Sequence, residues 1–351
     1  MVLIHLVFAM TYLIITSVFL TSLILLIILR PLAIKLDLVD YPNERKNHIG
    51  NIPLIGGISI FLGVLIPYIF IFDSNKFNSV LLITASLILI QGVWDDFANL
   101  KPKTKIAFQA FLTLTMIYVT NVKLESFGYL FGGASTLELG IFSIPITIIA
   151  VVGLTNAFNM LDGLDGLASS FVIVGFTGFL FFNVDSEILF ITKILFAVAV
   201  ALVPFMIFNI IPYNKTKVFL GDGGSLFLGY IVSWALIYYA ENVNNFNPSF
   251  ALWCVAIPLF DFFTVIIIRT FEKRPLMVAN KDHIHHFLES LGLSKKLVLA
   301  LLVLLGFFCL FIGYLIEDEF STLSFSVFLI LFFIYLFIRL YFNFKEKAMP
   351  S

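Results

Sequence analysis

The chain has 351 residues, of which 60% are hydrophobic and only 12% are charged, and its formal net charge is −1. Because soluble globular domains carry about 25% charged residues, this composition excludes an ordinary water-soluble domain. We expect a lipid bilayer as the surrounding medium and no nucleic-acid partner.

Apolar runs of about 20 residues, the length that crosses a bilayer, recur along the whole chain. We therefore predict an all-α polytopic membrane protein with about 11 transmembrane helices, forming a single integral membrane domain over residues 1–351. The first run is too long for the apolar region of a cleaved signal peptide, so it is interpreted as a span. The predicted spans cover residues 3–29, 54–72, 78–94, 106–122, 139–155, 167–183, 188–208, 224–240, 249–268, 297–316 and 321–338.

The basic residues indicate how these helices are oriented. If the N-terminus is periplasmic, 18 of the 21 lysine and arginine residues fall on one side, which the positive-inside rule assigns to the cytoplasm. We therefore predict a cytoplasmic C-terminus. Most of the chemically useful polar residues fall in the same loops, which predicts one site assembled on the cytoplasmic face. These motif-bearing loops lie near residues 30–53, 95–105, 156–166, 209–223 and 269–296.

The first two of these loops contribute cations and carboxylates. Arg45 and Lys46 lie in the first loop, where the general positive charge of inside loops explains them equally well. Asp95 and Asp96 end the third predicted span. Adjacent carboxylates can share a site, in which case one pKa rises; the alternative is a solvated helix end with acidic residues.

The segment from residue 156 to residue 166 is the most informative motif. Asn156 and Asn159 are three residues apart, as are Asp162 and Asp165, so each pair falls on one face of a helix. Two amides and two carboxylates form an oxygen-rich surface that suits a hard cation or sugar hydroxyls. The alternative is a capped loop in which the aspartates and glycines only shape the turn.

The motif Gly221-Asp222-Gly223-Gly224-Ser225 precedes an apolar helix. Glycines let backbone amides approach a phosphate, and a helix N-terminus favours an anion. Because the central carboxylate would repel a phosphate, the pattern predicts Mg²⁺ together with phosphate. The alternative is a tight turn with an N-capping aspartate.

Three histidines, His283, His285 and His286, lie in the longest inside loop. They could bind a metal or donate to phosphate oxygens, and the oxygen-rich surroundings favour phosphate. Asp261 falls within the ninth predicted span, where a carboxylate is a functional candidate by default, but the sequence identifies no partner for it.

With these motifs in view, the sequence resembles the polyprenyl-phosphate N-acetylhexosamine-1-phosphate transferases. The matching motifs run in family order from about residue 37 to residue 292: Arg45-Lys46 through Ile52-Pro53 and Gly56-Gly57, Asp95-Asp96, residues 156–166, residues 217–225 and residues 283–286. The peptidoglycan branch of that family has three consecutive histidines. Ile284 interrupts the run here, which favours the N-acetylhexosamine branch. The sequence as a whole most resembles members that use UDP-GlcNAc and undecaprenyl phosphate.

The resemblance implies transfer of GlcNAc 1-phosphate, or of a related HexNAc 1-phosphate, from the UDP-sugar to undecaprenyl phosphate with release of UMP. It also implies Mg²⁺, with Mn²⁺ as an alternative ion, in a bacterial inner membrane enzyme that initiates O-antigen, common antigen or another surface polysaccharide. The oligomeric state stays open, with a homodimer as one option. We expect the lipid phosphate to attack directly, since a phosphate monoester is mostly dianionic at neutral pH; the alternative is a covalent intermediate on an aspartate.

Roles follow from the resemblance, position by position. The implied metal ligands are Asp222 and Asn159. Lys46 would bind the acceptor phosphate, and the three histidines would bind the donor diphosphate. The implied catalytic residues are Asp95, Asp96, Asp162, Asp165, His283, His285 and His286. The implied substrate-binding residues are Arg45, Lys46, Asn156, Asn159, Asn209, Gly221 and Gly223.

Two rival functions fit the sequence less well. The segment from Asp162 mimics the opening of the CDP-alcohol phosphotransferase motif, but Ser169, Phe182 and Ser186 stand where that motif needs arginine and two aspartates. A multi-span transporter would place ionisable residues along a path through the spans. Apart from Asp261, the predicted spans carry almost no such residues, which favours an enzyme.

Overall fold

The computed structural model describes residues 2–42, 50–72, 75–130, 135–182, 189–211, 216–243, 246–276 and 282–348. Two short antiparallel pairs join β1 (Val39–Asp40) to β2 (Ile52–Pro53) and β3 (Ser126–Tyr129) to β4 (Thr136–Glu138). The helices are α1 (Val2–Lys35), α2 (Gly56–Ile71), α3 (Lys76–Ala98), α4 (Pro102–Thr120), α5 (Ser143–Leu161), α6 (Leu167–Phe179), α7 (Leu189–Ile210), α8 (Gly221–Asn242), α9 (Pro248–Cys254), α10 (Ala256–Phe271), α11 (Ile284–Ser290) and α12 (Lys295–Ala348), and a 3₁₀ turn, Gly140–Phe142, precedes α5.

The described helices confirm the membrane class. Seven segments in the described ranges are long and apolar enough to cross a bilayer, or eight if α9 and α10, which are bent by 84° relative to each other, count as one span. Helices α2 and α6 are apolar but shorter, with 16 and 13 residues. The all-α polytopic fold is therefore confirmed, while the count of eleven spans, the periplasmic N-terminus and the cytoplasmic C-terminus stay predictions.

Helix α12 folds back on itself. A straight helix of its length would place Leu299 and Arg339 about 60 Å apart. Leu299 nevertheless packs beside Gly166, and Arg339 donates a hydrogen bond to the carbonyl oxygen of Asp282, and both points lie at the polar end of the bundle described below. The two halves of α12 therefore run in opposite directions, and each contains one membrane-capable segment.

Glycines bring α2 and α3 into direct backbone contact with α8, the most deeply buried long helix among those described. A Cβ added at Gly92 in α3 would lie 2.6 Å from the carbonyl carbon of Asp222, and one added at Gly57 in α2 would lie 3.2 Å from that of Gly223. Small residues allow this close approach of helices within a membrane. The contact sets the C-terminal end of α3 against the N-terminal end of α8.

The chain before α8 is tied to the first β-hairpin. The Phe219 amide donates to the Pro53 carbonyl at 2.9 Å, and the Phe219 carbonyl accepts from the Gly56 amide at 2.9 Å. This pairing fixes the segment that leads into Gly221 and places the first predicted loop beside the polar end of the bundle.

Candidate active site

Asp96 caps the start of α8 from a different helix. The Asp222 amide donates to Asp96 Oδ1 at 3.1 Å, and the Gly223 amide also donates to this carboxylate. Helix α8 has no side-chain cap of its own at Leu220. A carboxylate at a helix N-terminus satisfies free amides and interacts favourably with the helix dipole. Asp96 therefore occupies the position in which the sequence led us to expect a phosphate.

The glycines at this junction are required by backbone geometry and by packing. Gly221 has φ +76°, and a Cβ there would lie 2.9 Å from Asp96 Oδ2. A Cβ on Gly223 would lie 2.8 Å from Val93 Cγ2. Both glycines thus have a structural explanation, and their predicted role in substrate binding stays a prediction.

Asp222 and Asn159 meet across the α5–α8 interface. Asn159 Nδ2 donates to Asp222 Oδ1 at 2.9 Å and to Ser225 Oγ at 2.9 Å. Its amide nitrogen therefore faces the carboxylate and orients it. In this arrangement Asn159 supports Asp222, and its own role as a metal ligand stays a prediction.

Asp95 has a different environment from its neighbour Asp96. Its side chain is buried, it forms an ion pair with Lys105, and its Oδ1 accepts from the Leu100 amide at 2.7 Å. Both oxygens are thus engaged in closing the turn between α3 and α4. The sequence could not distinguish the two adjacent aspartates, but in the structure Asp95 closes the turn between α3 and α4 and Asp96 caps α8.

Asp162 and Asp165 lie in the turn between α5 and α6, on the same side as Asp222. Lys217 pairs with Asp165 at 2.6 Å. The pKa of Asp162 is raised well above its usual range, first because the protein desolvates the carboxyl group and then because Asp222, Asp165 and Asp96 repel a further negative charge. The turn therefore adds to a local excess of carboxylates.

The histidine motif is anchored by Asp261, whose partner the sequence did not reveal. His283 Nδ1 lies 2.7 Å from Asp261 Oδ2, and the Ile284 amide donates to Asp261 Oδ1 at 2.8 Å. The Tyr335 hydroxyl donates to the same oxygen at 3.4 Å. The side chain of Asp261 is 1% exposed. Asp261, which the sequence places inside a predicted span, thus holds the start of α11 through the Ile284 amide.

His285 joins the histidine motif to the aspartate turn. A Cβ added at Gly163 would lie 2.9 Å from His285 Cε1. The ring is 1% exposed, and neither ring nitrogen has a hydrogen-bond partner among the described residues. Burial, followed by the neighbouring His286, lowers the pKa of His285 to about 3, so this imidazole is neutral at physiological pH.

Three arginines surround Asp282, the residue before the histidine motif. Arg269 Nε lies 3.0 Å and Arg274 Nη1 3.1 Å from Asp282 Oδ2, and Arg339 donates to the Asp282 carbonyl oxygen. Sequence reasoning assigned these arginines only to the positive-inside bias. The acidic residue next to the motif was the one signal that could have indicated a specific role for them.

Two other predicted site residues, Asn156 and Asn209, have hydrogen-bond partners outside this cluster. Asn156 Nδ2 donates to Gln109 Oε1 at 2.6 Å and to a backbone carbonyl of its own helix. Asn209 Nδ2 donates to the Val218 carbonyl at 3.0 Å, which secures the segment before α8. Arg45 and Lys46 lie outside the described residues.

The electrostatics of the cluster favour a cation. Asp222 interacts with Asp95, Asp96 and Asp162, and each interaction is repulsive when both groups are charged. Among the described residues, no three His, Cys, Asp or Glu side chains converge as a ready-made metal site. Mg²⁺ commonly uses only one or two carboxylates and takes its other ligands from water and substrate phosphates. The donor set therefore fits an ion that binds with substrate.

Comparison with known proteins places the chain in a family. It matches glycosyl transferase family 4 over residues 78–240. It is 33% identical over 298 residues to undecaprenyl-phosphate alpha-N-acetylglucosaminyl 1-phosphate transferase of Yersinia pestis. The aligned residues cover 84% of this chain and 81% of that relative. The identically named protein of Escherichia coli (strain K12) is 32% identical over 327 residues, which cover 91% of this chain and 88% of the relative. This chain therefore belongs to the family of these undecaprenyl-phosphate N-acetylglucosaminyl 1-phosphate transferases.

Proposed function

We propose that this protein transfers GlcNAc 1-phosphate from UDP-GlcNAc to undecaprenyl phosphate, with release of UMP. The observation that carries the proposal is the convergence of Asp96, Asp162, Asp222 and His285 at one end of the bundle. These residues come from separate segments of the chain, and each belongs to one of the sequence motifs on which the family resemblance rests. The product would be undecaprenyl-diphosphate-GlcNAc, the starting lipid for a surface polysaccharide such as O-antigen or common antigen.

We assign the cation site to Asp222, with Mg²⁺ as the expected ion and Mn²⁺ as the alternative. When bound, the ion would neutralise charge on the donor diphosphate and on the departing UMP. Asn159 holds the Asp222 carboxylate in place, and Asp96 fixes the backbone on which Asp222 is carried. The raised pKa of Asp162 fits a carboxyl group that faces other negative charges in the site.

The reaction proposed is a direct displacement at the β-phosphorus of the donor. The lipid phosphate oxygen forms a new bond to the β-phosphorus while the bond from the β-phosphorus to the bridging oxygen breaks, and UMP leaves with that bridging oxygen. The nucleophile is already mostly dianionic at neutral pH, so little proton removal is needed. Both oxygens of Asp95 are engaged by Lys105 and the Leu100 amide, and Asp96 accepts from the start of α8, which argues against either aspartate as a covalent nucleophile.

The site would lie on the cytoplasmic face of the bacterial inner membrane, where UDP-sugars are available. The positive-inside distribution supports this orientation. Cysteine labelling in whole cells tests it: the variant Asn242→Cys, changed at the end of α8 away from the carboxylates, should react with an impermeant thiol reagent from the periplasm. Labelling of Asn242→Cys only after the membrane is opened would overturn the orientation.

The function is tested by UMP release from UDP-GlcNAc with purified protein, undecaprenyl phosphate and Mg²⁺. We expect lipid-dependent release that falls by about 10²-fold or more in Asp222→Asn, because one preorganised electrostatic contact to the transition state is removed. Glu241→Gln is the matched control, since Glu241 is a carboxylate on the same helix at its opposite end. Absence of UMP release from the wild type would refute the enzyme assignment and favour a transporter. An equal loss of UMP release in Asp222→Asn and Glu241→Gln would contradict the assignment of Asp222 to the site.

A further inference from the structure

Asp261 is a buried carboxylate for which neither the sequence pattern nor the proposed reaction supplies a direct role. It lies in α10, just after the bend that separates this helix from α9, and it is 1% exposed. A carboxylate at this depth is costly unless donors surround it. Its donors are the His283 ring, the Ile284 amide and the Tyr335 hydroxyl.

The two oxygens of the Asp261 carboxylate contact different groups. Oδ1 accepts from the Ile284 amide and thereby holds the first residue of α11, while Oδ2 lies against His283 Nδ1. Because a carboxylate only accepts hydrogen bonds, Nδ1 must carry the proton. The Nε2 atom of His283 is then the ring nitrogen left for any other ligand.

The ring fixed in this way lies beside the rest of the site. The rings of His283 and His285 are parallel within 5°, with centroids 5.9 Å apart, and His285 packs against Gly163 in the aspartate turn. A tilt of the His283 ring would therefore disturb the side chain that contacts the turn between Asp162 and Asp165. The orientation of the His283 ring therefore affects both the histidine motif and the aspartate turn.

We propose that Asp261 is a positioning residue that acts through His283: it fixes the ring and keeps Nδ1 protonated, so that Nε2 is presented to the donor substrate. The proposal rests on the proposed function for the identity of that substrate. Asp261 itself does not touch substrate. The competing explanation is purely structural, in which Asp261 only stabilises the join between α10 and α11 through Ile284.

A double-mutant cycle separates these explanations. We expect Asp261→Asn to lower the rate of UMP release by about 10²-fold, since a misplacement of about 1 Å has effects of this size. The same substitution should have no further effect in a His283→Ala background, because its route to the substrate is already lost. Equal fold-losses in the two backgrounds, or wild-type activity of Asp261→Asn, would overturn the proposal. Glu317→Gln is the control, since Glu317 is also a buried carboxylate but contacts Ser249 at the opposite end of the bundle.

A second measurement keeps the proposal open to refutation even if Asp261→Asn does not fold. The chain has five histidines, so ring ¹⁵N signals of the labelled wild-type protein can be assigned with single substitutions. We expect a protonated, hydrogen-bonded Nδ1 in His283, and an unprotonated Nδ1 would overturn the proposal. Lack of wild-type UMP release would count against the proposed function alone, because the ring measurement requires no substrate.

Discussion

The close contact between α3 and α8 predicts that a single methyl group at Gly92 disables the site. In Gly92→Ala the new Cβ would lie 2.6 Å from the Asp222 carbonyl carbon, whereas ordinary van der Waals contacts begin near 3.4 Å. Relief of this overlap requires the two helices to separate by ~1 Å. The hydrogen bond between the Asp222 amide and Asp96 would then lengthen from 3.1 Å to ~4 Å and be lost.

Two effects of different size follow from this separation. Overpacking of this kind lowers the free energy of unfolding by about 1–3 kcal/mol. A shift of about 1 Å in catalytic groups lowers activity by about 10²-fold. We therefore expect a folded protein with a modestly lower melting temperature and a large loss of activity.

The measurement pairs UMP release with thermal unfolding in detergent. Gly153→Ala in α5 is the matched control, because its Cβ would only touch Phe262 Cε1 at 3.9 Å, an ordinary contact. The control should keep wild-type activity. Full activity in Gly92→Ala would show that the junction of α3 and α8 does not position the reacting groups.

Three further predictions use other parts of the site. Gly163→Ala should displace His285 and lower UMP release by about tenfold or more, which is about 1.4 kcal/mol in the barrier; Gly175→Ala, whose Cβ would meet its nearest neighbour at 3.5 Å, should not. Because His285 has a pKa of about 3 in the folded protein and about 6.5 when unfolded, the unfolded state binds more protons between these values. The melting temperature should therefore fall as pH drops below about 6.5, and less steeply in His285→Asn; equal slopes would contradict the burial argument. Direct displacement predicts no exchange of labelled UMP into UDP-GlcNAc without lipid phosphate, and such exchange would indicate a covalent intermediate.

The membrane fold and the polar end of the bundle could be predicted from sequence because both depend on local composition. Apolar runs identify helices whatever their partners, and the loops between them carry the charges. Gln109 shows the limit of this reasoning, since it looks like a neutral residue in a span yet bonds Asn156 in the neighbouring helix. Such pairings depend on how helices are arranged, which composition does not encode.

The glycine-rich motif shows why chemistry was harder to predict than location. A missing Cβ allows a backbone to approach a phosphate, and it equally allows two helices to touch. The sequence favoured the first explanation for Gly221 and Gly223, whereas the structure shows Asp96 at the helix start and α3 packed against Gly223. The two aspartates that meet across this junction are 126 residues apart, so no local pattern could have joined them.

The partners of the aspartates indicate where the proposed cation would bind. Asp95 is paired with Lys105 and Asp165 with Lys217, so each of these two carboxylates is balanced by a lysine, and Asp261 is hydrogen bonded to His283. In the part of the chain that the structure describes, Asp162 and Asp222 form no ion pair, although they repel each other and Asp96. An enzyme that must also admit a nucleotide diphosphate and a lipid phosphate to this corner would face still greater repulsion. The carboxylates left unbalanced by the protein are thus the ones for which a divalent cation, arriving with the donor, would have the largest effect.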